Sequence, residues 1–107
     1  FERSGTLRSV KAVPLTQTRV AYTESSFAEI VVREVPHPME GSAHSYKYRL
    51  AFVVDGVCVL RYDNESGKGD HRHTLDVEAR YRFLSLDRLF ADFDRDIRRF
   101  MHEDRNT

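Results

Sequence analysis

Asp55-Gly56 stands between two long runs of β-forming residues, Tyr46 to Val54 and Val57 to Asn64. A two-residue Asp-Gly link accepts positive φ at both positions and matches the twist of paired strands, so it is the strongest short-range hairpin signal. Two further segments, Arg19 to Thr23 and Phe27 to Val35, flank the turn-like Glu24-Ser25-Ser26 and predict a second antiparallel hairpin. Pro36-His37-Pro38 ends that strand, because proline cannot donate to a ladder. Met39 to Ser45 reads as a loop, and residues 65–70 as a polar loop with two glycines. Residues 71–83 alternate intermittently and predict a fifth strand with an irregularity near Asp76.

After Ser85, a plausible N-cap, the residues Leu86, Leu89, Phe90, Phe93, Ile97, Phe100 and Met101 recur at helical spacing, with Asp and Arg on the other faces. The simplest role for that helix is to cover one face of the sheet. The alternative is that part of its Phe stripe docks a partner protein. Residues 1–18 read as an N-terminal arm or short element, and residues 19–107 as a single domain. The expected fold class is α+β: an antiparallel sheet of about five strands with a C-terminal amphipathic helix packed on one face.

Composition narrows the function classes. The 107 residues fit one domain with a modest core. Lys+Arg 17 against Asp+Glu 17 excludes a strongly basic nucleic-acid coat, but leaves room for a local basic site. A charged fraction of 32% and a mean hydropathy of -0.57 argue against a membrane protein. The single cysteine, Cys58, excludes an internal disulfide and a Cys-rich zinc module, and points to a reducing cytosol.

If the Asp55-Gly56 loop fixes the register, Arg49 should oppose Tyr62 and Lys47 should oppose Asn64. On the other face Phe52 should meet Val59, Leu50 should meet Arg61, and Tyr48 should meet Asp63. Both faces are then apolar near the turn and polar far from it. The next loop adds Lys68, Asp70, His71, Arg72 and His73 to the polar end. The candidate site is therefore Lys47, Arg49, Arg61, Tyr62, Asn64, Lys68, His71, Arg72 and His73; an ordinary solvated strand end is the competing reading.

Gly67 and Gly69 would let backbone approach an anion, with Lys68 supplying charge. A Walker loop is excluded, since Tyr62 stands where its first glycine belongs and Gly69 where Ser or Thr belongs. His71 and His73, two apart on a strand, point to one face. Such a pair suits a transition-metal site with Asp70 or Asp63 as an oxygen ligand. It also suits acid–base cleavage of RNA, in which one imidazole takes the 2′-OH proton and the other protonates the leaving 5′-oxygen. A third reading makes one histidine structural. His37, His44 and His102 are expected at the surface, and Cys58 as a buried, inert thiol.

The runs Tyr46-Lys47-Tyr48-Arg49-Leu50, Val54-Asp55-Gly56, Arg61-Tyr62-Asp63-Asn64 and Gly67-Lys68-Gly69-Asp70-His71-Arg72-His73 resemble the TumE family of small toxins from type II toxin–antitoxin systems. Residues 26–32, Tyr81-Arg82-Phe83 and residues 89–93 extend the resemblance, which covers about residues 19–100. Thr74-Leu75-Asp76-Val77-Glu78 departs from it, replacing a Gly-rich turn after the last histidine. The resemblance implies a prokaryotic, cytoplasmic toxin encoded beside an antitoxin with a helix-turn-helix DNA-binding domain. It also implies an endoribonuclease that blocks translation.

Three functions follow. The first is a metal-independent ribonuclease without cofactor, acting on RNA or the ribosome: His71 and His73 with Lys68 and Arg72 do the chemistry, and Lys47, Arg49, Arg61, Tyr62 and Asn64 hold RNA. The second is a non-enzymatic module docking a protein through a sheet edge or the Phe stripe. The third is a metal-dependent hydrolase at the same histidines. No membrane partner is expected, and a homodimer remains an open option.

Overall fold

The computed structural model describes residues 13–105, with side chains from Leu15 to His102. Six strands run in chain order: β1 (Val13–Thr23), β2 (Ser26–Glu34), β3 (Tyr46–Val54), β4 (Val57–Glu65), β5 (Gly69–Thr74) and β6 (Val77–Arg80). They form one sheet in the order β1-β2-β3-β4-β5-β6, every neighbour antiparallel. One helix, α1 (Leu86–Arg105), follows. The α+β class stands, with one strand more than expected. The irregularity near Asp76 is a full turn: Leu75 takes φ 53, and Thr74 pairs with Val77. β1 begins at Val13, so it crosses the boundary placed at residue 18; the arm before residue 13 lies outside the described residues.

Asp55 and Gly56 take φ 52 and 79, the two positive values that a tight hairpin turn needs. The register beyond the turn differs from the expected one. Val54 pairs with Val57 and Val53 with Cys58, but Phe52 then pairs with Leu60, so Val59 is an extra residue on β4. The bulge shifts every later pair by one: Leu50 opposes Tyr62, Ala51 opposes Arg61, and Arg49 opposes Asp63. A one-residue shift exchanges faces. It unites the apolar residues of both strands on one side, which is the physical reason the unbulged pairing loses. The Leu75 N–H satisfies the Val59 carbonyl at 3.0 Å. Cys58 pairs with Val53 as expected but is exposed, so the expected buried thiol is corrected.

α1 starts where expected. Ser85 Oγ accepts from the Arg88 N–H at 3.0 Å, and Asp87 sits in the first turn. Leu89, Phe93 and Ile97 are buried against Tyr48, Leu50, Phe52, Leu60 and Tyr62 of the sheet. Phe90, Phe100 and Met101 are partly buried on the same cluster. Phe100 meets Phe52 edge-on, with ring centroids 6.0 Å apart. Much of the Phe stripe is thus committed to the sheet.

Candidate functional site

The sheet has two unlike faces. Because paired residues share a face, the side under α1 carries Val32, Tyr48, Leu50, Phe52, Leu60, Tyr62, Asn64, Asp70 and Arg72. The other side, uncovered among the described residues, carries Arg33, Lys47, Arg49, Arg61, Asp63, His71, His73, Glu78 and Arg80.

On the covered side, tyrosines meet aspartates. Asp70 accepts from Ser42 Oγ, His44 Nε2 and Tyr48 Oη, each at 2.7 Å. His44 Nδ1 accepts from the Tyr46 N–H at 3.2 Å, so its Nε2 carries the proton given to Asp70. Its ring also stacks on Phe83 at 3.8 Å. With both nitrogens occupied, His44 holds the loop, and the expected surface histidine is corrected; His37 is exposed as expected, as is His102. Tyr62 donates to Asp96, which also accepts from Arg72 Nη1 at 3.3 Å. Tyr81 donates to Asp92 at 2.6 Å, and Arg88 and Arg95 close on the same carboxylate. Burial, reinforced by the Asp96 acceptor, pushes the Tyr62 phenol up to about 12; burial and Asp70 raise Tyr48 further.

The glycines of the 65–70 loop are spent internally. The Gly67 N–H donates to the Glu40 carbonyl at 2.8 Å, and the Lys68 N–H to the Glu65 carbonyl at 3.0 Å. A Cβ on Gly69 would lie 2.6 Å from the Gly41 oxygen, and Gly69 has φ +77. The two loops pass at backbone contact, a closeness only glycine permits. The expected anion cradle is therefore corrected: these glycines dock the 39–45 loop onto the β4–β5 turn. Asn64, wholly buried, finishes that end of the sheet. Its Oδ1 accepts from the Tyr48 N–H at 3.0 Å, and its Nδ2 donates to the Tyr46 carbonyl at 2.7 Å.

The uncovered face brings the histidines together. His71 lies opposite Asp63 on one side and Arg80 on the other; His73 lies between Arg61 and Glu78. His71 Nδ1 lies 3.2 Å from the Gly69 carbonyl, which can only accept, so Nδ1 carries a proton and Nε2 of the neutral ring keeps its lone pair. His73 Nε2 lies 3.4 Å from Glu78. Lys68, His71, Glu78, Ala79 and Arg80 line an open groove here. Lys47 Nζ reaches the Asn64 carbonyl at 2.5 Å, and Arg49 lies 3.7 Å from Glu29.

Two details mark this face as electrostatically unfinished. Arg33 pairs directly with Lys47, a like-charge juxtaposition that weakens a strand pair. Arg61 Nε is buried 3.0 Å from Asp63, but no acceptor among the described residues is aligned to it. A buried donor left in that state costs stability.

Of the sequence-derived residues, the structure gathers Lys47, Arg49, Arg61, His71 and His73 on one face, with Lys68 at its rim. It places Tyr62, Asn64 and Arg72 on the opposite face; Tyr62 and Asn64 are each 0% exposed, which leaves no ring free to stack on a base. Arg72 was separated from its histidine neighbours by strand alternation alone. Asp70 also lies on the covered face, so of the two aspartates Asp63 is the one beside the histidines, together with Glu78. Among the described residues no three His, Cys, Asp or Glu side chains converge as a metal-binding group. Sequence reading missed Glu78 and Arg80, because the turn at Leu75 that folds them back was not legible.

Comparison with curated proteins yields no match, and comparison with solved structures yields none either. Among protein families, the one described as Toxin TumE matches residues 4–101, nearly the whole chain. The match takes in every strand and most of α1, including both histidines and the cationic residues around them. The chain therefore belongs to the Toxin TumE family.

Proposed function

We propose that this toxin is an endoribonuclease working from the uncovered face of its sheet, without a metal. The observation that carries the reading is the β4–β5 register, which sets His71 and His73 side by side among Arg49, Arg61, Arg80 and Lys68. His71 Nε2 is the base that takes the 2′-OH proton, since its Nδ1 is held by the Gly69 carbonyl. His73, beside Glu78, is the acid that returns a proton to the leaving 5′-oxygen. Arg61, Arg80 and Lys68 oppose the charge that builds on the phosphorane. Lys47 and Arg49 hold flanking phosphates. Tyr62, Asn64 and Arg72 support this from behind, fixing the strands on which the histidines stand.

Within the same reading, the toxin acts in the cytoplasm on RNA, free or on the ribosome. A cognate antitoxin with a helix-turn-helix domain silences it. Cleavage of cellular RNA by purified protein in excess EDTA tests the assignment. Wild type should cleave, and His71→Ala and His73→Ala should each lose at least a hundredfold in rate while keeping the wild-type melting curve. Full activity in both variants overturns the site, and activity only without EDTA overturns metal independence.

A further inference from the structure

The proposed ribonuclease reading leaves the substrate's form open, and the chemistry of the two faces narrows it. We infer that the uncovered face recognises RNA through the backbone of a base-paired stem, with the scissile bond at an unpaired nucleotide beside it. The inference rests on the ribonuclease reading above.

Sheet surfaces that bind single strands carry aromatic rings on which unstacked bases lie. Here the rings are on the wrong side. Tyr22, Tyr48, Phe52, Tyr62, Tyr81 and Phe83 belong to the core or pack against it beneath α1. Among the described residues the one aromatic on the uncovered face is Phe27, and the Arg19 guanidinium already covers its ring, 4.1 Å from the centroid.

What the face offers instead is a cationic side chain on five of the six strands: Arg19 on β1, Arg33 on β2, Lys47 and Arg49 on β3, Arg61 on β4, and Arg80 on β6, with Glu29 beside Arg19 and Arg49 and Asp63 beside Arg61. At ~4.8 Å between strands, β2 to β6 spans roughly 19 Å, a width that meets two phosphate strands rather than one. A paired stem presents phosphates and 2′-hydroxyls across a wide, shallow minor groove and is read by shape. The like-charge Arg33–Lys47 pairing is relieved by such an anion lattice. A-form pairing holds the 2′-oxygen out of line with the leaving 5′-oxygen, so the bond cut lies in the loop or at the stem junction, beneath His71 and His73.

The test uses the whole chain, an RNA hairpin, a uridine homopolymer of equal length, and a fully paired duplex as competitor. At one salt concentration the hairpin should bind at least tenfold more tightly than the homopolymer, and the duplex should inhibit hairpin cleavage. Phe27→Ala, checked by its melting curve, should leave hairpin affinity within twofold. Equal or tighter homopolymer binding, or a tenfold loss in a well-folded Phe27→Ala protein, overturns the inference while the ribonuclease reading stands. Absence of binding and cleavage for all three RNAs overturns both.

Discussion

The two faces of the sheet are built from alternate residues of the same strands, yet they solve opposite problems. Between the sheet and α1, three aspartates have built partners: Asp70 on β5 has three donors, and on the helix Asp96 has Tyr62 and Arg72 while Asp92 has Tyr81 and Arg88. On the other face Arg33 is paired with Lys47, like against like, and among the described residues Arg61 Nε has no aligned acceptor. A face completed by the fold gives stability; one left incomplete is available to a ligand. The contrast predicts that substitutions beneath the helix harm folding, and that those on the open face harm binding.

The largest effect should come from Asp70→Ala. It strands the Ser42, His44 and Tyr48 donors, and each buried orphan costs about 1–3 kcal/mol, so a loss of about 3–5 kcal/mol is expected in urea unfolding. A loss below about 1 kcal/mol would show that this cluster does not hold the 39–45 loop. Next comes Gly69→Ala, which combines a left-handed φ of +77 with a Cβ 2.6 Å from the Gly41 oxygen. About 2–4 kcal/mol should be lost. Gly56→Ala, with φ +79 and nothing within 4 Å, should lose only about 1–2 kcal/mol. Equal losses would remove the loop-docking role of Gly69.

Tyr62 gives a smaller, pH-dependent effect. Its phenol is raised from 10.0 to about 12, so the folded state holds a proton that the unfolded chain releases. Stability from this group is complete below pH 10 and is lost as pH rises toward 12, by about 1–3 kcal/mol. Relative to Tyr62→Phe, wild type should lose its advantage across that window; parallel curves would contradict the burial of an Asp96-bound phenol. The smallest effect on stability belongs to Arg33→Ala. Relieving the repulsion with Lys47 should change unfolding by no more than about 0.5 kcal/mol, while RNA affinity falls.

Much of this contrast was legible in the residues. Asp55-Gly56 announced its hairpin, Ser85 its helix, and the His-x-His spacing the shared face of His71 and His73, while Arg72, expected beside them, lies on the opposite face. The bulge at Val59 was not, because no local signal distinguishes an extra residue there from a regular strand. Only the gain of putting Leu50 beside Tyr62 and Phe52 beside Leu60 selects it, and that gain is tertiary. For the same reason Tyr62 and Asn64 read as ligand-binding residues when they are interior ones. Asp70, His44 and Gly41 come together across loops, a closure that periodicity does not encode.

The salt dependence of RNA binding tests the division of labour most directly, because three arginines close in sequence should answer differently. If RNA lies on the open face as proposed, Arg61→Ala and Arg80→Ala should each lower the slope of log affinity against log salt by about 0.7–0.9. Arg72→Ala, on the covered face beside Asp96, should leave that slope unchanged. A slope that falls with Arg72→Ala and holds in the other two would place RNA on the side of the sheet beneath the helix and contradict the account.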